Sequence, residues 1–184
     1  MAGVPGEVNL VFEGGGVKAI GLIGALAVLE ERGARVRRVA GTSAGAIVAS
    51  LLAAGYSSAD LLRIAVEVGF GDFRDQDWVD RIPLLGKPMS LVREHGIYEG
   101  RSLMNRLRAL LAARGVRRFG DLAFPDEPGG SVMRHQVQVI VSDLTERSLL
   151  VLPRDAHKLG IEPDELDVAL AVRMSASIPL FFEP

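Results

Sequence analysis

Ser43 stands at the centre of Gly41-Thr42-Ser43-Ala44-Gly45, after a short β-like run and before an alanine-rich helical run. A G-x-S-x-G between strand and helix raises a serine hydroxyl at the apex of a sharp turn, from which it can attack an acyl carbonyl. Glycine two residues to either side lets the two elements meet closely, because a Cβ at either place would collide with neighbouring backbone. In a chain with 21 glycines the pentapeptide alone is a weak signal. Its flanks strengthen it. Val36 to Ala40 reads as the entering strand, and Ile47, Val48, Leu51 and Leu52 follow at helical spacing.

A second group lies upstream. Val8, Leu10, Val11 and Phe12 read as a buried strand, followed by Glu13 and then Gly14-Gly15-Gly16-Val17-Lys18 opening a helix. Bare glycine backbone lets amide N–H groups converge on an anion, aided by the positive end of the helix and the Lys18 ammonium. For acyl transfer that anion is the tetrahedral oxyanion, so Gly14, Gly15, Gly16 and Lys18 are the expected oxyanion hole. A competing reading is a dinucleotide site in an oxidoreductase, since Gly14, Gly16 and Ala19 satisfy G-x-G-x-x-G/A. That site wants an acid at the end of the second strand to hold a ribose. Here Val36-Arg37-Arg38-Val39-Ala40 runs instead into the serine turn.

The glycine-rich loop, followed about 25 residues later by G-x-S-x-G, resembles the patatin-like phospholipase family of serine lipid acyl hydrolases. A third block, Met174-Ser175-Ala176-Ser177-Ile178-Pro179 with Phe181, Phe182 and Pro184, is similar to the family's Ser/Ala-rich stretch ending in Pro and an aromatic. The resemblance implies Ser43 as nucleophile, Gly14 to Gly16 with Lys18 as oxyanion hole, and Gly41 and Gly45 as the elbow glycines. Ala19 stands where many members have Gly, and it keeps a small residue. The implied fold is α/β, a three-layer sandwich with a mostly parallel sheet and helices on both faces. The implied substrate is a phospholipid or another acyl lipid, with peripheral membrane contact.

Members of that family resemble one another in a Ser–Asp dyad whose aspartate lies in an Asp-Gly-Gly or Asp-Gly-Ala turn after the Pro-aromatic block. No Asp-Gly dipeptide occurs in the 184 residues, so the expectation is one domain over 1–184, incomplete at its C-terminus, with the base beyond it. A serine without a base is a weak nucleophile, which keeps a catalytically inactive lipid-binding or regulatory module as an alternative. Asp143, after the apolar run 137–141, is another base to weigh. Its local sequence Ser142-Asp143-Leu144-Thr145 reads more readily as an Asx turn into a hairpin. His95, His135 and His157 offer another possible base, as in Ser-His-Asp hydrolases, but each reads more readily as a solvated loop or turn residue.

With no Cys and no zinc-like His/Glu spacing, neither a metal nor another cofactor is expected. A net charge of −2 argues against a nucleic-acid partner. The composition, 48% hydrophobic and 24% charged, is that of a globular α/β domain. No basic start precedes an apolar segment at Met1, so a cytoplasmic site, with contact at the membrane periphery, is the expectation. Val39 to Ala59 runs for 21 uncharged residues, yet its glycines and hydroxyls read as strand end, elbow and buried helix rather than a membrane span. Oligomeric state has no signature.

The elements that must position these groups follow in order: strand 8–12, helix 17–32, strand 36–40, helix 44–54 and helix 59–68, an alternation that predicts parallel pairing. Ser57-Ser58-Ala59-Asp60 has capping-box spacing. Apolar residues scattered over 70–100 form either a lid or lipid-facing rim over Ser43 or an inward-packed cap. A helix over 102–114 ends near Arg114, Arg117 and Arg118, which read as a solvated helix end or as contacts for anionic headgroups. Residues 125–130 read as a surface turn, 137–141 and 149–152 as a hairpin, and 163–173 as a last helix with Pro at its start.

Overall fold

The computed structural model describes residues 6–67, 104–129 and 131–177. The stretch 70–100 with both of its readings, His95, and the Ile178 to Pro184 part of the third block lie outside them. Four strands form one sheet in the order β1-β2-β3-β4: β1 Glu7–Phe12, β2 Arg35–Gly41, β3 Val137–Asp143 and β4 Ser148–Leu152. β1 and β2 pair in parallel, as do β2 and β3, while β4 returns antiparallel to β3. This mostly parallel mixed α/β architecture is the expected class.

The helices are α1 Ala19–Glu31, α2 Ala44–Ala53, α3 Ser58–Glu67, α4 over 104–112 and α5 Val168–Ala176. α1 begins behind a 3-10 turn at Gly16–Lys18, so the predicted helix start at 17 is a tighter turn first. α3 begins as its sequence predicts: the Asp60 amide donates to Ser57 Oγ at 3.2 Å and the Ser57 amide donates to Asp60 Oδ2 at 3.2 Å.

The last helix is a correction. Pro163–Glu165 forms only a 3-10 turn, Leu166 and Asp167 are extended, and the α-helix starts after Asp167, whose carboxylate accepts from the Leu170 amide at 2.8 Å. Proline followed by two acids imitates a helix start, but the side chain that satisfies the free amides lies four residues on.

α2 lies across β1, β2 and β3 and packs against α1, α3 and α5. Its Ala46 and Ala49 are fully buried, and small side chains there let the helix sit close to the sheet. β3 alternates buried Val137, Val139 and Val141 with less buried neighbours, and Leu150 and Leu152 of β4 continue that face. Each such side chain contributes about 1.5–3 kcal/mol on burial. Among the described residues no helix is long and apolar enough to cross a membrane.

Candidate active site

Parallel pairing explains why the two loops meet. Phe12 is in register with Gly41, so the loops leaving β1 and β2 emerge side by side at the carboxyl ends of their strands, the end where open α/β sheets bind ligands. The Thr42 amide donates to the Phe12 carbonyl at 3.2 Å and ties one loop to the other. A Cβ added at Gly14 would stand 3.2 Å from both Ser43 Cβ and Thr42 Oγ1, so the glycine loop lies directly against the serine.

The elbow glycines are small because backbone passes through the space a side chain would fill. A Cβ at Gly41 would lie 2.3 Å from the Gly45 carbonyl oxygen, and one at Gly45 would lie 2.4 Å from that of Phe12. Neither position has positive φ; the unusual conformation belongs to Ser43, at φ 50° and ψ −122°. A serine held there carries backbone strain of about 1–3 kcal/mol.

Ser43 also occupies the N-cap of α2, yet its hydroxyl makes no capping bond. A serine at that place ordinarily accepts from the first turn, so here the Oγ is left for other work. The side chain is half-buried, and Gly15, Gly16 and Lys18 beside it are exposed. Among the described residues the amides of Gly14, Gly15, Gly16 and Ala44 donate to no acceptor. These amides and the N-terminus of α2 make the surroundings of Ser43 electropositive. The Lys18 stem lies along Gly15, where a Cβ would meet Lys18 Cδ at 3.3 Å.

Ser175 lacks flanking elbow glycines and so reads as a structural hydroxyl or small packing residue rather than a nucleophile, and the structure gives it a defined place. Its Oγ accepts from the Ser43 amide at 2.9 Å and donates to the Ile140 carbonyl at 2.6 Å. The start of α2, the end of α5 and β3 are thereby joined through one hydroxyl. The signal for this was the third sequence block, but its partner lies 132 positions away.

The other candidates are elsewhere. Asp143 Oδ1 accepts from the amides of Thr145 and Glu146 at 2.9 and 3.1 Å, which is the Asx turn expected of it. Gly41 pairs with Val139, four residues before Asp143, so that aspartate lies about 13 Å further along the strand direction. His135 precedes β3 and therefore sits at the opposite end of the sheet from Ser43. Contrary to the solvated reading it is buried, with Nε2 2.7 Å from Asp164 Oδ1 and the Phe119 ring edge-on. Burial pushes its pKa down against the opposing pull of Asp164. His157 is an exposed residue of a 3-10 turn.

Arg114 pairs with Asp60 at 3.4 Å and lies 4.4 Å over the Tyr56 ring, and Arg118 pairs with Glu165. Two of the three cations read as headgroup contacts thus have partners within the fold. Arg37 and Arg38, which the dinucleotide reading would need for a phosphate, pair with Glu7 and Glu127. Among the described residues no cluster of three His, Cys, Asp or Glu could hold a metal ion.

The strand-turn-helix serine, the glycine loop against it and the mostly parallel sheet define a patatin-like architecture, and residues 10–184 match the family model for patatin-like phospholipase. The chain belongs to that family, which supports a lipid-hydrolase kind of function and replaces the dinucleotide reading. It is 44% identical over 175 residues to the uncharacterized protein YqhO of Bacillus subtilis, covering 95% of this chain and 56% of that protein. The chain thus spans about half the length of this curated relative. Among solved structures it is similar to the type III effector protein ExoU, with TM-score 0.59 at 20% identity, over 96% of this chain and 41% of that one. It is also similar to VipD from Legionella pneumophila, with TM-score 0.55 at 21% identity, over 99% and 44%. At those identities the likeness is one of fold.

Proposed function

We propose that the chain is a serine lipid acyl hydrolase of the phospholipase A type, with Ser43 as nucleophile. The observation that carries this is the uncapped Ser43 hydroxyl at a strained turn, packed against Gly14 in a loop whose amides, among the described residues, donate to no acceptor. Ser43 Oγ attacks the carbonyl carbon of a fatty-acyl ester while its proton passes to a base. The carbonyl oxygen becomes an oxyanion that takes hydrogen bonds from the Gly14 to Gly16 loop, with Ala44 at the helix start a further donor and Lys18 contributing charge. Such donors are worth about 3 kcal/mol each in a water-poor site. Collapse expels the lipid alcohol, which takes the proton back, and water then releases the acyl group by the same steps in reverse order of proton transfer.

The base is assigned, on the family resemblance, to an aspartate of an Asp-Gly-Gly or Asp-Gly-Ala turn outside these 184 residues. The substrate reaches the site from a lipid surface, and the protein works from the cytoplasm at the membrane periphery. The test is hydrolysis of p-nitrophenyl and phospholipid esters by the native gene product and its Ser43→Ala variant, with fluorophosphonate labelling and mapping of the adduct. Turnover should fall by about a thousandfold or more in the variant, with the label on Ser43. Equal activity in both proteins removes the nucleophile assignment. Lipid binding with neither turnover nor labelling in the native protein would establish the inactive-module reading instead.

A further inference from the structure

We propose that Thr42 is a further catalytic residue, its hydroxyl donating to the oxyanion beside the amides of the glycine loop; the proposal rests on the hydrolase reading above. Both main-chain groups of Thr42 have partners. Its amide donates to the Phe12 carbonyl at 3.2 Å, and its carbonyl accepts from the Ala46 amide at 3.2 Å. The residue is thereby fixed between the end of β1 and the first turn of α2. It is half-buried, and among the described residues its Oγ1 has no hydrogen-bond partner.

Gly14 shows where that hydroxyl lies. A Cβ built on Gly14 would stand 3.2 Å from Thr42 Oγ1 and 3.2 Å from Ser43 Cβ, so the hydroxyl and the carbon that carries the nucleophile flank one small space beside the glycine loop. Gly14 does not have positive φ, so its backbone is open to other residues, and what glycine preserves there is the space itself. A hydroxyl left unpaired in a half-buried place is costly, and a group that arrives with the substrate relieves it. As Ser43 Oγ adds to the ester, the carbonyl oxygen gains a full negative charge, and a donor held beside it binds more strongly as that charge grows. Threonine is suited to the task because its branched Cβ restricts rotation and leaves the hydroxyl already aimed. The neighbouring hydroxyl of Ser175 is occupied by the Ser43 amide and the Ile140 carbonyl.

The experiment measures kcat and KM for p-nitrophenyl butyrate in the native gene product, Thr42→Val and Thr42→Ser. Valine keeps the shape and removes the donor, so kcat and kcat/KM should fall together by about a hundredfold with KM little changed. Serine restores the donor on a freer side chain and should recover most of that loss. Full activity in Thr42→Val overturns the proposal, and so does a Thr42→Ser variant as slow as Thr42→Val, since shape rather than the hydroxyl would then be what matters. Should Thr42→Val unfold, Thr42→Ala puts the same question without the added methyl, and the same outcomes decide it. An alkyl trifluoromethyl ketone gives a second readout: Ser43 Oγ adds to its carbonyl carbon, the π pair moves onto oxygen and the serine proton passes to the base, leaving a stable oxyanion. Its inhibition constant should rise by about a hundredfold in Thr42→Val, and an unchanged constant overturns the proposal. Ester cleavage that survives Ser43→Ala, or a native protein without turnover, removes the hydrolase reading and this role with it. Cleavage that requires Ser43 and ignores Thr42→Val removes Thr42 alone.

Discussion

Ser175 uses its hydroxyl twice, as acceptor for the Ser43 amide and as donor to Ile140. It holds the turn that carries Ser43, and on the hydrolase proposal its role is a positioning one. Ser175→Ala leaves the Ser43 amide without its acceptor in a half-buried place, and the expected loss is about 1–3 kcal/mol of stability. A positional role predicts more: kcat of the folded enzyme should fall by about tenfold or more with KM little changed, because the hydroxyl of Ser43 is then less well aimed. Urea unfolding and steady-state kinetics read the two effects separately, and a lower midpoint with normal kcat would leave Ser175 purely structural. The strand-turn-helix placement of Ser43 was legible from its own neighbours in sequence, since such a turn is local. Ser175 was not, because the role of a small hydroxyl is decided by what distant chain it meets.

The junction of β2 and α2 depends on two absent side chains. Gly45→Ala would place a methyl 2.4 Å from the Phe12 carbonyl oxygen, where backbone on both sides must move, and a cost of about 3 kcal/mol or more is expected. Gly24 in α1 is the contrast. Nothing lies within 4 Å of a Cβ built there, so Gly24→Ala should stabilise the protein by about 0.5–1 kcal/mol. Denaturant midpoints of the two variants should move in opposite directions. Strands β1 to β4 and helices α1 to α3 were legible because apolar periodicity, glycine punctuation and the Ser57/Asp60 capping pair agree locally. The start of α5 was not, since Pro163-Asp164-Glu165 satisfies the local signals of a helix start while Leu166 and Asp167 are drawn extended by tertiary pairing. Asp167 bridges to Arg118, and the Phe119 amide donates to the Leu166 carbonyl.

Charge couples distant parts of the chain to acid. The Arg154 guanidinium beside Asp155, with the Val151 amide, holds that carboxyl down at about 2, and the residue is 6% exposed. The folded pKa lies below the unfolded one, so the stabilisation is complete above about pH 4 and is lost as pH falls toward 2; its size is about 2 kcal/mol. His135 acts earlier. Burial lowers its pKa, so the unfolded chain takes up the proton first and stability begins to erode below about pH 6.5. Unfolding free energy followed against pH should decline in these two stages, and Asp155→Asn should flatten the lower one. A lower stage of undiminished size in that variant would place the acid-labile group elsewhere, with Asp121 and Asp164 the next to test.

The strained backbone at position 43 sets two properties of the turn against each other. Glycine would occupy that conformation freely, so at this one residue the presence of a hydroxyl and the sturdiness of the junction pull in opposite directions.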